Sequence, residues 1–361
     1  MRIGILTHYQ VESHGACLQH YAMTKYLQQM GHEAFTLSYS KNLDFSSSSD
    51  RKKFGMNMKS IPYYLKECLL KKGPSFVWTM FRKHMLLRGF NKENFKFAPY
   101  ACGEMDTALV GSDEVWSIQL GVNIMMYGHA VGAKRMISYA PSFGQTRVSD
   151  IERWHCRPLI ESGIKAFNAI SVRDEGSRAV VQELTGMMPA LVCDPVLLYG
   201  FEQEMAAYHP MTSQRYVVVY GYNSNMNEPE RIADIKKYAA QIGAKVYSVG
   251  AFHKWCDKQI ACDPIEMLYW FKGAQAVFTD TFHGTISAFL GEVPIAVYVR
   301  DTNNVKLDHL LRLLGLEDRK VTADRSVFEI MKKKIDFSGL KRAFEPVRKE
   351  SAAYLSEALD A

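Results

Sequence analysis

Apolar and polar positions along the chain alternate between two periods. Residues 3–7 form a short apolar run that ends at Thr7-His8 and predicts a buried first strand. Cys17, Leu18, Tyr21, Ala22, Tyr26, Leu27 and Met30 then recur at helical spacing, and Gly31 follows where a helix-terminating glycine belongs. Residues 34–39 alternate and predict a second strand, so the chain opens with a βαβ unit and a parallel sheet. The rhythm breaks over residues 42–96, where basic residues mix with Tyr63, Tyr64, Phe76, Trp78, Phe81 and Phe90, and one or two inserted amphipathic helices are expected. It resumes with strands at 108–111, 135–140, 169–172 and 190–193, and a helix at 177–184 closed by Gly186.

Residues 200–214 read as a linker. Beyond it strands are predicted at 216–220, 245–249, 275–279 and 294–299. Helices are predicted at 228–242, 264–272, 284–290 and 305–314, the last closed by Gly315. Two successive α/β series predict an α/β protein of two Rossmann-like domains facing across a cleft. The expected domains are residues 1–200, with a basic helical insertion at about 44–100, and residues 201–361, whose tail at 337–359 forms a helix packing back on the body.

The composition fits this picture: 361 residues, 47% hydrophobic and 23% charged, describe a globular chain and exclude a disordered or fibrous one. No apolar run approaches the roughly 20 residues of a membrane helix, and the start of the chain reads as a strand and not as a signal peptide. A cytoplasmic protein is expected. The seven cysteines are odd in number and lack a Cys-x-x-Cys pair, as expected of reduced thiols. His253, Cys256 and Cys262 cluster, but their spacing matches no standard zinc pattern, and no metal is expected. The net charge is +6; the stretch 50–96 holds twelve Lys/Arg against three Asp/Glu and so carries +9, more than the whole excess. That segment reads as a lid, a nucleic-acid patch, a membrane-surface arm or plain solvated helices. Nucleic acid is disfavoured because no recognised nucleic-acid module accompanies it.

Walker A, Gly-x-Gly-x-x-Gly, His-Glu-x-x-His and Gly-x-Ser-x-Gly sequences are all absent. Attention therefore falls on strand ends followed by a turn and a helix, where ligands of open α/β sheets bind and helix N–H groups suit anions. Four such places stand out: Ser13-His14-Gly15, Val110-Gly111-Ser112-Asp113-Glu114-Val115-Trp116, Ser171-Val172-Arg173-Asp174-Glu175 and Thr279-Asp280-Thr281-Phe282-His283-Gly284-Thr285. His283 is placed to donate to a phosphate or to move a proton near neutral pH, or else only to satisfy a helix-capping turn. Arg173 is either a clamp for a carboxylate or phosphate or a local salt-bridge partner. Asp113, and Asp194 after a further strand, are each a base or the cap of a turn.

Taken together these motifs resemble the polysaccharide pyruvyl transferase family. The resemblance rests on Gly4-Ile5-Leu6-Thr7, His14-Gly15-Ala16-Cys17-Leu18-Gln19, Val110-Gly111-Ser112-Asp113-Glu114-Val115-Trp116 and Ser138-Tyr139-Ala140-Pro141-Ser142-Phe143-Gly144. It continues through Ser171-Val172-Arg173-Asp174, Cys193-Asp194-Pro195, Thr279 to Thr285 and Leu313-Leu314-Gly315-Leu316, in order from residue 3 to about 319. The chain departs from the pattern at Ser13-His14, where relatives often have Asn-Tyr, and at Glu114, Ser117, Pro141 and Lys306.

The resemblance implies a GT-B-like fold and a reaction in which phosphoenolpyruvate gives a pyruvate ketal on sugar hydroxyls with release of phosphate. The partners implied are phosphoenolpyruvate and a glycan or lipid-linked sugar acceptor, with no other cofactor. Contact with an anionic membrane surface at the inner face is an accompanying expectation. His283, Asp113 and Asp194 are the expected catalytic residues. Arg173, His283, Gly284, Thr285 and Lys306 are expected to bind the donor, which is placed on the side of the second domain, and His14, Gly15, Ser112 and Asp113 the acceptor, on the side of the first. The competing readings are a sugar-nucleotide glycosyltransferase of the same fold and a non-catalytic glycan-binding relative.

Overall fold

The run Ile3–Leu6 is wholly buried because the strand that contains it, β1 (Arg2–Leu6), lies in the middle of a sheet. In a computed structural model, which describes residues 1–47, 69–70, 72–301 and 303–360, β1 pairs in parallel with β2 (Glu33–Ser38) and β4 (Met105–Val110). β3 (Phe97–Pro99) and β5 (Ala133–Ser138) are added outside these, in the order β3-β2-β1-β4-β5. Both faces of such a sheet are covered by helices, hence the near-continuous apolar central strands. A short parallel pair, β6 (Ser171–Val172) with β7 (Ala190–Leu191), is tied to this sheet by a bridge between Ile137 and Ala169.

The second series repeats the arrangement. β8 (Tyr216–Tyr220) is buried along its length and pairs with β9 (Lys245–Val249) and β11 (Val277–Thr279). β10 (Lys258–Ile260) and β12 (Ile295–Val297) complete a parallel sheet ordered β10-β9-β8-β11-β12. The two sheets thus have the same strand order, and each reverses direction beside its central strand, which is where an open α/β sheet presents a crevice.

One hydrophobic cluster joins the halves, drawing Leu18 and Tyr21 from the first helix (His14–Gln29) together with Phe271, Phe282 and Ile286 of the second series. The helix Phe337–Asp360 returns from the end of the chain to the first sheet. Arg135 donates to the carbonyls of Ala358 and Leu359, Tyr354 donates to the carbonyl of Ser138, and the Cys193 N–H donates to the Ser351 hydroxyl.

Several elements differ from expectation. The stretch read as a linker contains the helix Glu202–Ala206. The helices Val148–Arg153 and Arg157–Lys165 and the three-residue edge strands β3 and β10 were not anticipated. The insertion includes the helix Pro74–Asn94; Tyr63, Tyr64 and most of the polar stretch before them lie outside the described residues.

Candidate active site

Four strand ends converge on the cleft between the sheets. After β6 the chain delivers Arg173, and Asp174 caps the next helix, Glu175–Thr185, by accepting from the Ser177 N–H at 2.7 Å. After β7 it delivers Asp194, whose Oδ1 accepts from the Val196 N–H at 3.0 Å. The Arg173 guanidinium donates from Nη1 to Asp194 Oδ2 at 3.1 Å, and its Nη2 lies 3.7 Å from Asp113 Oδ1. Its Cζ sits 4.6 Å from the centroid of the Phe282 ring, contributed by the second domain. The Arg173 side chain is 3% exposed and that of Asp194 is fully covered, so both lie beneath the floor of the cleft. Asp113 and His283, with side chains 25% and 13% exposed, form the part of the cluster that meets the cleft.

Asp113 follows β4 in a left-handed backbone conformation, φ +73°, held by the Ser142 N–H donating to its carbonyl at 2.8 Å. Asp and Asn tolerate that conformation better than most residues. Before it, Gly111 at φ +148° cannot be replaced, since a Cβ there would fall 1.9 Å from the Tyr139 carbonyl oxygen. Burial acts to raise the pKa of Asp113, but Arg173, then His8, His283 and Lys306, overcome it and hold the carboxyl well below the usual range. Asp194 is lowered in the same way: burial opposes ionisation, and His283, Arg173 and the Val196 N–H outweigh it. Both carboxylates are therefore ionised at neutral pH and available as acceptors, not donors.

His283 lies in the first turn of the helix Phe282–Leu290, with Nε2 3.6 Å from Asp194 Oδ2. That separation is ion-pair range without a hydrogen bond, and Nε2 is buried with no hydrogen-bond partner. The other side of the ring rests on the start of the first helix: a Cβ at Gly15 would lie 2.4 Å from His283 Nδ1. The N-cap of that helix, Ser13, makes no side-chain capping bond. The first-turn N–H groups lack helical acceptors, so the positive end of the helix faces the imidazole.

Of the expected acceptor residues, Gly15 and Asp113 are brought to the cleft and His14 and Ser112 are not. The His14 ring is 1% exposed, donates from Nε2 to the Cys262 carbonyl at 2.8 Å, and presses on Gly250; burial lowers its pKa to about 3. It is a neutral ring sealed between the domains. Ser112 is 3% exposed and spends its hydroxyl on Gln19 Oε1 at 2.6 Å.

Of the expected donor residues, His283 and Lys306 reach the cleft. Lys306, on the helix Asn304–Leu314, pairs across it with Glu114. Arg173 does not present a free fork, because Asp194 and Asp113 share it. Gly284 serves packing: a Cβ there would lie 2.3 Å from Thr279 Oγ1 and 2.6 Å from Thr281 Oγ1, and its N–H is capped by Thr281. Thr285 is buried and donates its hydroxyl to the Thr281 carbonyl. Both placements have one cause, a helix cap that uses the polar groups next to His283.

Two residues were not anticipated. His8, after β1, lies between the Tyr39 hydroxyl at 3.2 Å and the Glu114 carbonyl at 3.3 Å, and burial lowers its pKa against the pull of Asp113. Lys41, after β2, has its pKa lowered by burial while Asp113 counteracts. Each follows a strand of the first sheet, the same signal that singled out Asp113. His253, Cys256 and Cys262 do not converge: the His253 ring is taken up by Ser248 Oγ and by the carbonyls of Tyr222 and Asn225. Among the described residues no group of three or more His, Cys, Asp or Glu is arranged to hold a metal. Among them, too, no helix is long and apolar enough to cross a membrane.

The same two-domain architecture occurs in solved structures. A putative UDP-N-acetylglucosamine 2-epimerase from Listeria monocytogenes is 10% identical, with 96% of this chain and 90% of that chain covered and a TM-score of 0.50. A UDP-GlcNAc 2-epimerase from Methanocaldococcus jannaschii is 11% identical over 96% and 99% of the two chains, TM-score 0.46. A spinosyn rhamnosyltransferase is 13% identical over the whole of both chains, TM-score 0.49. At such identities the likeness concerns the fold alone, which is of the GT-B type. No curated protein matches the chain. A sequence model of the family described as polysaccharide pyruvyl transferase matches residues 14–302.

Proposed function

The chain belongs to the polysaccharide pyruvyl transferase family, and on that footing we propose that it joins pyruvate, taken from phosphoenolpyruvate, to two hydroxyls of a glycan or lipid-linked glycan precursor as a ketal. Two new C–O bonds form at the central carbon of the donor and its C–O bond to phosphate breaks. One hydroxyl proton ends on the methylene carbon, which becomes a methyl group, and the other leaves with phosphate. The reaction calls on a proton source that can be recharged near neutral pH, a stable negative neighbour for the cationic central carbon, and cations for the donor's phosphate and carboxylate.

The observation that carries this reading is the seating of His283 between the Asp194 carboxylate and the start of the first helix. Asp113 and Asp194, both held ionised, serve as hydroxyl-proton acceptor and as partner for the His283 ring. Lys306, paired with Glu114, exchanges onto the donor. Arg173 is a positioning residue that keeps the two carboxylates in place. His8 and Lys41, on the first sheet, are the proposed acceptor side. The reading calls on no metal or further cofactor.

The test is phosphate release from phosphoenolpyruvate in the presence of glycan acceptors. His283→Ala is expected to lose about 10²–10⁴-fold in rate while melting near wild type, since the ring meets the cleft and fills little core. Wild-type turnover by His283→Ala refutes the assignment of this site. Thermal stabilisation by UDP-sugars and not by phosphoenolpyruvate instead favours the glycosyltransferase reading.

A further inference from the structure

The helix Pro74–Asn94 is amphipathic in an unexpected sense. One face is buried by Phe76, Thr79, Leu87 and Phe90, as a helix packed on a body requires. The opposite face should be polar. Instead it carries Trp78, Phe81 and Met85, which are 62%, 54% and 50% exposed. At 100° per residue these three lie within one sixth of a turn, so they form a single stripe. Arg82 and Arg88 flank the stripe on its two sides and Lys92 extends it, all three exposed. The only acid of the helix is Glu93. Trp78 and Phe81 stack with ring centroids 6.2 Å apart, so their exposed rings form one continuous apolar patch.

The buried face holds the helix in place at the mouth of the cleft. Phe76 meets Phe252 edge-on at 5.3 Å, and Asn223 Nδ2 lies 3.2 Å from Met80 Sδ, both from loops at the strand ends of the second sheet. The far half of the helix packs Phe90 against Tyr21 of the first helix. The exposed stripe therefore points away from the body while its backing is fixed to both domains.

We infer that this face docks on an anionic lipid bilayer. Aromatic and Met side chains on one stripe, flanked by Arg and Lys, are what an interfacial helix buries at the boundary between headgroups and acyl chains, and the basic rim matches the sign of an anionic leaflet. The docked helix sets the mouth of the cleft beside the membrane, where a lipid-linked sugar would be presented. The inference does not depend on the reaction proposed above, because the surface is outside the catalytic cluster.

The experiment is co-sedimentation of the full chain with vesicles of phosphatidylcholine alone or mixed with phosphatidylglycerol, at low and high salt. Wild type is expected to bind the mixed vesicles at low salt, to be released by high salt, and to ignore the neutral vesicles. Neutralising Arg82, Arg88 and Lys92 to Gln together should weaken binding on the order of a hundredfold. Trp78→Ser with Phe81→Ser should abolish it while leaving the thermal transition unchanged, since both side chains are exposed. Equal binding to the two vesicle types, or wild-type binding by the Gln variant, overturns the inference. So does a wild-type dimer in solution that the Trp78→Ser, Phe81→Ser variant splits, which would make the stripe a contact between two copies of this chain. The Gln variant alters only exposed charges, so it decides the question even if the double Ser variant fails to fold.

Discussion

At the scale of single residues the site is a charge balance built below the surface. Arg173 is shared by Asp113 and Asp194, and removing it strands the buried Asp194 and takes the one guanidinium from Asp113, so its contribution is to geometry before it is to binding. The histidines divide by environment. His283 keeps an edge in the cleft, whereas His14 and His20 are buried neutral, each lowered by burial to about 3. His20 stacks on Phe95 at 3.7 Å and bonds Thr36 Oγ1 at 2.8 Å. In the unfolded chain a histidine takes up its proton near pH 6.5. Below that the unfolded state binds a proton that the folded state refuses, so stability falls as pH falls toward the folded value. His8 and His253, also lowered, act in the same sense. Asp113 and Asp194 act later: with depressed pKa values their contribution is retained down to the ordinary carboxylate range and lost only below about pH 4. The unfolding free energy read from urea titrations is therefore expected to drop between about pH 7 and about pH 5, by about 2 kcal/mol for each of His14 and His20. His20→Gln should make the decline shallower; a profile flat over this interval would mean the rings are protonated in the fold.

At the scale of elements, the start of the first helix is the seat of the imidazole. Gly15 is needed there because a Cβ would fall within 2.5 Å of both Nδ1 and Cγ of His283. Gly15→Ala adds a favoured helical residue, so the fold should tolerate it, while the ring must turn away from Asp194. The expected outcome is a fall in turnover of at least tenfold, like a partial His283→Ala, with circular dichroism and melting little changed. Equal turnover in Gly15→Ala and wild type would show that the ring has another productive position.

The first helix was legible in the sequence because its apolar spacing is long and a glycine ends it, and β8 because five buried apolar residues have no other reading. β3 and β10 span three residues at sheet edges, too few to display a period. The helix Glu202–Ala206 is short and sits where a linker was expected. The strand ends that gather at the candidate site were picked out by one topological reason, a strand followed by a turn and a helix. What the sequence could not convey is which polar groups are already taken. Thr281 consumes the Gly284 N–H, Gln19 consumes Ser112, Cys262 holds His14 and Asp194 holds Arg173, and each pairing depends on contacts between residues distant in the chain or on the turn geometry.

At the scale of the whole molecule, the pairing across the cleft is held less by its charges than by its core. Lys306 and Glu114 are partly exposed, and such pairs contribute at most about 1 kcal/mol. The cluster that includes Leu18, Phe271 and Ile286 also contains Phe344, Leu355 and Leu359 of the final helix, so residues from the end of the chain help to bury the first sheet. Leu355 is 0% exposed, and truncating a buried leucine costs about 2–5 kcal/mol depending on how far the cavity collapses. Because Arg135, Ser138 and Cys193 of the first half all bond this helix, the loss should be felt there and not only where the chain ends. Leu355→Ala is expected to lower the urea midpoint and to speed amide exchange in β5 and in the segment around Cys193 together with exchange in the helix itself. Exchange confined to the helix Phe337–Asp360, with β5 protected as in wild type, would mean that the helix is a detachable appendage and that each half folds on its own core.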